Sequence, residues 1–125
     1  MLARPLIIDC DPGVDDAVAL LLALAAPDLF EILGVTTVAG NVSSAFTARN
    51  ACVIRDIAGR DDVAVYAGAD RPLLVDAVEA GHFHGESGLG NLAFASPRRG
   101  VETASAVQFI CDTLSRAEPK SVSMA

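Results

Sequence analysis

Four carboxylates fall within eight positions of the segment Asp9-Cys10-Asp11-Pro12-Gly13-Val14-Asp15-Asp16. Two like charges about 4 Å apart repel by roughly 4 kcal/mol at an effective dielectric of about 20. No Lys or Arg lies between Pro5 and Pro27 to offset that repulsion. Two remedies exist. Some carboxyls can hold protons, with raised pKa values, or a divalent cation can be held among them. Asp oxygens are hard donors that suit Ca²⁺ or Mg²⁺ and not Zn²⁺. Helix capping accounts for Asp15 or Asp16 but not for Asp9 and Asp11 as well. The stronger reading is therefore a metal site in which Asp11 and Asp16 converge on one ion. Water bound to such an ion is acidified, and a neighbouring carboxylate can take its proton, which is general-base hydrolysis. A Ser nucleophile has no support, since no GxSxG segment occurs.

The elements that must position these acids can be read along the chain. Pro5 to Asp9 predicts a short buried strand, broken by Pro12-Gly13. A helix should run from about Asp15 to Ala26, with Asp15 and Asp16 in its first turn and Pro27 after it. Glu31 to Val38 is rich in β-branched residues and predicts a second strand. Gly40-Asn41 interrupts, and Ser43 or Ser44 can cap a helix to about Ala58, with Phe46, Val53 and Ile57 at helical spacing. Val63 to Tyr66 predicts a third strand. From Ala67 to Gly100 the pattern dissolves around Gly81, Gly85, Gly88 and Gly90, and the last three predict the hinges of a mobile lid. Thr103 to Arg116 predicts a helix with Ala104, Val107, Ile110, Cys111 and Leu114 on one face. Ser121 to Ala125 begins a fourth strand. The order implies an α/β fold, an open and mainly parallel sheet with helices on both faces. The acids then sit at the carboxyl end of the first strand, where such sheets place their ligands.

Bulk properties narrow the function classes. Nine basic residues stand against sixteen acidic ones, for a formal charge of −7, and no basic patch is visible, so nucleic acid is not an expected partner. The longest hydrophobic run, Ala17 to Ala26, is too short to span a bilayer, and no membrane association is expected. Cys10, Cys52 and Cys111 lie far apart in apolar runs, which predicts reduced, buried thiols and a cytoplasmic location. Asn41-Val42-Ser43 matches a glycosylation sequon, and without a secretory signal it reads as chance. A length of 125 residues fits one domain. The chain is nonetheless 52% hydrophobic, with a mean hydropathy of +0.44, and stops inside a strand-like run. Residues 1–125 are therefore expected to be the N-terminal part of a longer single domain.

The segment DCDPGVDDA closely resembles the N-terminal signature of the inosine-uridine preferring nucleoside hydrolases. Further matches follow in order: Thr36-Thr37-Val38-Ala39-Gly40-Asn41, Thr47-Ala48-Arg49-Asn50-Ala51, Tyr66-Ala67-Gly68, and His84-Gly85-Glu86-Ser87-Gly88-Leu89-Gly90. The resemblance covers nearly the whole chain. It implies hydrolysis of the N-glycosidic bond of ribonucleosides with Ca²⁺ as cofactor. By position it makes Asp11 the general base and a calcium ligand, and Asp16 a calcium ligand. It gives Asp15 and Asn41 contacts to the ribose, places His84 on the base side of the pocket, and makes Asp9 a buried acid that supports the site. His82 has a weaker claim and belongs on the rim. The resemblance further implies a ribonucleoside as partner and a homo-oligomer. Family members are much longer, and their remaining calcium ligands and leaving-group acid lie beyond Ala125. This chain alone is accordingly expected to bind calcium weakly and to show little activity.

Two other classes compete. A non-catalytic fragment could act only through binding or assembly at an exposed sheet edge. A Mg²⁺-dependent phosphohydrolase of the haloacid dehalogenase type also begins with DxD after its first strand. It requires Thr or Val two residues past the second Asp, where Gly13 stands here.

Overall fold

A computed structural model of the chain describes residues 1–78, 80–90 and 92–125. Its elements in order are β1 (Arg4–Cys10), α1 (Val14–Leu24), β2 (Phe30–Thr37), α2 (Ser44–Ile57), β3 (Val65–Ala67), α3 (Gly81–His84), α4 (Ala106–Arg116) and β4 (Ser123–Met124). The four strands form one sheet in the order β3-β2-β1-β4, and every pairing is parallel. The predicted α/β architecture is therefore observed. One face of the sheet carries Cys10, Val35 and Val65, which meet Leu20 and Leu24 of α1 and Ala51, Cys52 and Ile54 of α2. On the other face α4 packs against β3, where Phe109 stacks on Tyr66 with ring centroids 4.0 Å apart. A Cβ on Gly34 would lie 2.6 Å from Phe109 Cζ, so glycine in β2 makes room for that stack. Among the described residues no helix is long and apolar enough to cross a membrane.

Several details differ from the sequence-based expectations for physical reasons. The third strand starts at Val65 instead of Val63, because the Val63 N–H closes a turn onto the Arg60 carbonyl at 3.0 Å. Along α2, Phe46 and Ile57 are exposed while Thr47, Ala48, Asn50, Ala51, Val53 and Ile54 are buried. The helix thus buries a stripe that includes polar residues, and apolar spacing alone does not reveal it. Ser43 occupies the cap position of α2 without a side-chain cap bond, and the Ser44 hydroxyl donates to Asp70 at 2.5 Å instead. Along α4 Ala106 is buried, and Phe109, Thr113 and the predicted Ile110 are half-buried. Val107, Cys111 and Leu114 are exposed, so the expectation that all three thiols are buried fails at Cys111. Ser105 caps α4, its hydroxyl accepting the Gln108 N–H at 3.2 Å. The long segment after β3 is not wholly irregular, since it contains α3.

Candidate active site

The acid turn sits where β1 ends and α1 begins. Pro12 and Gly13 are both buried there, and Gly13 takes the cap position of α1 in an extended conformation, with no side chain to satisfy the first helical N–H groups. One of those orphan donors finds a partner far along the chain. The Val14 N–H donates to Nδ1 of His84, seventy residues away, at 3.1 Å. The Asp11 N–H donates to Oδ2 of Asp16 at 3.1 Å. Asp15 and Asp16 also lie in the first turn of α1, where the helix dipole favours negative charge.

Asn41 holds Asp11 from two sides. Its main-chain N–H donates to Oδ2 of Asp11 and its Nδ2 donates to the Asp11 carbonyl, both at 2.8 Å. Gly40 presses its bare Cα against the same carboxylate, and a Cβ there would collide with Oδ2. Asp11, Asp16 and Asn41 are thus brought together as one unit, and His84 joins it through Val14. Asp15 points outward and is exposed.

Asp9 requires a correction. It is exposed, not buried. Alternation along β1 puts it on the face opposite Cys10, and the helix on that face, α4, packs against β3, two strands away. Its partner is the fully buried Thr36, whose hydroxyl donates to Oδ1 at 2.5 Å.

The electrostatics follow from this crowding. Burial pushes the Asp16 carboxyl up from its ordinary value, and the neighbouring Asp11 and Asp15 charges add to the rise, against the N–H bond from Asp11, which pulls it down. The Cys10 thiol is pushed far up, first by burial and then by Asp16, Asp9 and Asp11. The turn therefore gathers negative charge in a partly buried place, with no basic residue in its own segment. Paired carboxylate oxygens in that condition fit a hard dication, which would relieve the repulsion. Among the described residues no group of three His, Cys, Asp or Glu stands close enough to hold an ion, so the donors here are a pair.

The loop between α3 and Gly90 is fixed to this turn at several points. The Ala80 N–H donates to the Asn41 carbonyl at 2.9 Å, and Leu89 reaches the core beneath. Asn50 of α2 donates from Nδ2 to the carbonyls of Pro12, at 3.1 Å, and Ser87, at 2.6 Å. Sequence reasoning did not single out Asn50 or Thr36 as site residues. The signal available was a polar residue in the middle of a buried helical stretch and a Thr opposite the first Asp across two strands.

Comparison with known proteins identifies the family and the fold. Residues 6–125 match the family model described as inosine-uridine preferring nucleoside hydrolase. The chain is 45% identical over 122 residues to an inosine-uridine preferring nucleoside hydrolase of Crithidia fasciculata, covering 97% of this chain and 38% of that protein. It is 41% identical to a pyrimidine-specific ribonucleoside hydrolase of Citrobacter koseri, covering 98% and 39%. The fold superposes on a purine-preferring ribonucleoside hydrolase from Gardnerella vaginalis with a TM-score of 0.88 and 34% identity, over 97% of this chain and 39% of that one. The chain thus spans well under half the length of these relatives, and over nearly all of its own length it belongs to the inosine-uridine preferring nucleoside hydrolase family.

Proposed function

We propose that the chain carries the water-activating and ribose-facing part of a ribonucleoside hydrolase site. The observation that carries the reading is the Asp11 carboxylate, held by Asn41 and set beside Asp16 with no basic residue in the turn. Asp11 and Asp16 would hold a calcium ion, which when bound supplies an acidified water and a seat for sugar hydroxyls. Asn41 occupies Oδ2 of Asp11, which leaves Oδ1 to take the proton of the attacking water. The water oxygen adds to the ribose C1′ as the bond from C1′ to the base nitrogen breaks, and the base leaves with that electron pair and takes a proton from a donor outside residues 1–125. Asp15, exposed at the start of α1, would accept a ribose hydroxyl. His84, with Nδ1 accepting from Val14, carries its proton on Nε2 and presents a donor.

Calcium takes six to eight oxygens as a rule, and this chain offers two carboxylates at the turn. We therefore infer weak calcium binding and little turnover by the 125 residues alone. Relatives named as purine-preferring, pyrimidine-specific and inosine-uridine preferring all match this same segment. That pattern supports a choice of base made by residues outside it. The free thiols support a cytoplasmic location. The test is a hybrid in which residues 1–125 replace the matching segment of the Crithidia fasciculata hydrolase. Release of hypoxanthine from inosine and uracil from uridine should depend on calcium and vanish in chelator. A hybrid equally active with Asp11→Asn would refute the reading.

A further inference from the structure

Asn50 lies in the middle of α2 and is 0% exposed. Both N–H bonds of its amide are used, and they reach carbonyls from two distant parts of the chain, Pro12 in the acid turn and Ser87 in the loop after α3. Its Oδ1 is buried without a partner among the described residues. The loop backbone rests directly on this amide. A Cβ on Gly88 would lie 2.9 Å from Asn50 Nδ2, 3.0 Å from Val42 Cγ2 and 3.2 Å from the Pro12 carbonyl oxygen, and Gly88 has a φ of +91°. The helix that carries Asn50 is anchored in the core by its next neighbours Ala51 and Cys52 and by Ile54. His84 joins the same two segments at a second point, accepting the Val14 N–H.

We propose that Asn50 is a positioning residue that sets the spacing between the acid turn and the His84 loop. By fixing the Pro12 and Ser87 carbonyls to a core helix, it holds the His84 ring on the Val14 N–H. A ring nitrogen that accepts carries no proton, so this contact selects the tautomer protonated on Nε2. Asn50 touches neither substrate nor ion. It determines which hydrogen-bonding edge His84 offers to them. The proposal deepens the hydrolase reading of the site and rests on it for its meaning, while the contacts themselves are independent of the chemistry performed there.

The test is nitrogen-15 NMR of the histidine side chains in the 125-residue chain at mildly alkaline pH, where imidazole is neutral. His82→Gln assigns the two ring systems. In the parent, His84 should show the pattern of one tautomer with Nε2 protonated and Nδ1 accepting, and the Val14 amide should be shifted downfield. Asn50→Asp keeps the size of the side chain and removes both donors. It should move His84 to the mixed pattern of a free imidazole and return the Val14 amide upfield, with the methyl signals of Leu20, Ile54 and Val65 unchanged. Gly88→Ala, which lifts the loop from the amide and leaves α2 intact, should do the same and decides the matter if Asn50→Asp does not fold. A folded Asn50→Asp, or Gly88→Ala in its place, that keeps the parent's ring pattern overturns the proposal. An inactive hybrid whose ring pattern is intact would count against the hydrolase reading and leave Asn50's role standing.

Discussion

The main-chain N–H of Asp11 donates to the carboxylate of Asp16 at 3.1 Å across the Pro12-Gly13 turn. That bond keeps two acids side by side in a partly buried place, and the Asp16 carboxyl responds by rising above its ordinary value, chiefly through burial. In this fold the turn is shaped by main-chain bonds, and no basic residue between Pro5 and Pro27 offsets the charge.

The first prediction follows from the direction of that shift. A carboxyl whose folded pKa lies above its unfolded one binds more protons when folded, so stability falls as pH rises from the ordinary Asp range through the raised value. In chelator the parent should therefore melt higher at the acid end of that interval than at neutral pH. Asp16→Asn cannot ionise. It should flatten this dependence and raise the neutral-pH Tm of the metal-free chain, while weakening calcium binding by titration calorimetry. A variant that melts below the parent in chelator at neutral pH contradicts this.

Asp11→Asn removes the proposed base and keeps its shape and its bond from Asn41. In the hybrid enzyme kcat should drop by about 10²–10⁴-fold, the usual contribution of a positioned general base. Steady-state base release from inosine is the measurement. A change confined to KM would assign Asp11 to binding alone.

Gly13→Ala should separate the loop from the turn. Its Cβ would lie 2.6 Å from His84 Nδ1 and 2.9 Å from Asn41 Nδ2, and the local backbone is one that alanine can adopt. The imidazole must move away, since the helix start cannot. Amide exchange at Val14 should quicken, and global stability should fall by only about 1 kcal/mol, the low end for overpacking. Unchanged exchange at Val14 would mean that the ring had found another way to keep its bond.

On the opposite face, Gly34→Ala should cost more. The added methyl would meet Phe109 Cζ at 2.6 Å, Phe109 Cε1 at 2.8 Å and Tyr66 Cε2 at 3.0 Å, all within a stack whose rings are only 8° from parallel. Urea unfolding should show a loss of about 1–3 kcal/mol, together with a weakened near-ultraviolet circular dichroism signal from Tyr66. A neutral substitution would show that α4 can slide along the sheet without loss.

The acid turn and the order of elements were legible in the sequence because each rests on local rules. Pro12-Gly13 must break a strand, Asp15 and Asp16 suit a helix start, and the apolar runs repeat with the spacing of a parallel sheet. What stayed hidden depends on contacts across long separations. Nothing near His84 announces that its ring will cap a helix seventy residues earlier. Asn50 and Thr47 lie on the buried stripe of α2, where apolar periodicity points to Phe46, Val53 and Ile57, of which Val53 is buried and the other two face solvent. Asp9 was assigned to the interior by resemblance. The side of β1 on which it falls is fixed by the sheet's alternation, and the helix on that side lies over β3.

The pairing of β1 with residues near position 125 bears on how the molecule is made. The Asp9 N–H donates to the Ala125 carbonyl at 2.8 Å, and the Ala125 N–H donates to the Ile7 carbonyl at 3.0 Å. On a ribosome, β1 emerges well before these partners. In that interval one margin of the strand leading to the acid turn presents open amides and carbonyls that any extended peptide could occupy. Until the partners follow, the nascent chain is exposed to mispairing along the very strand that ends in its acidic residues.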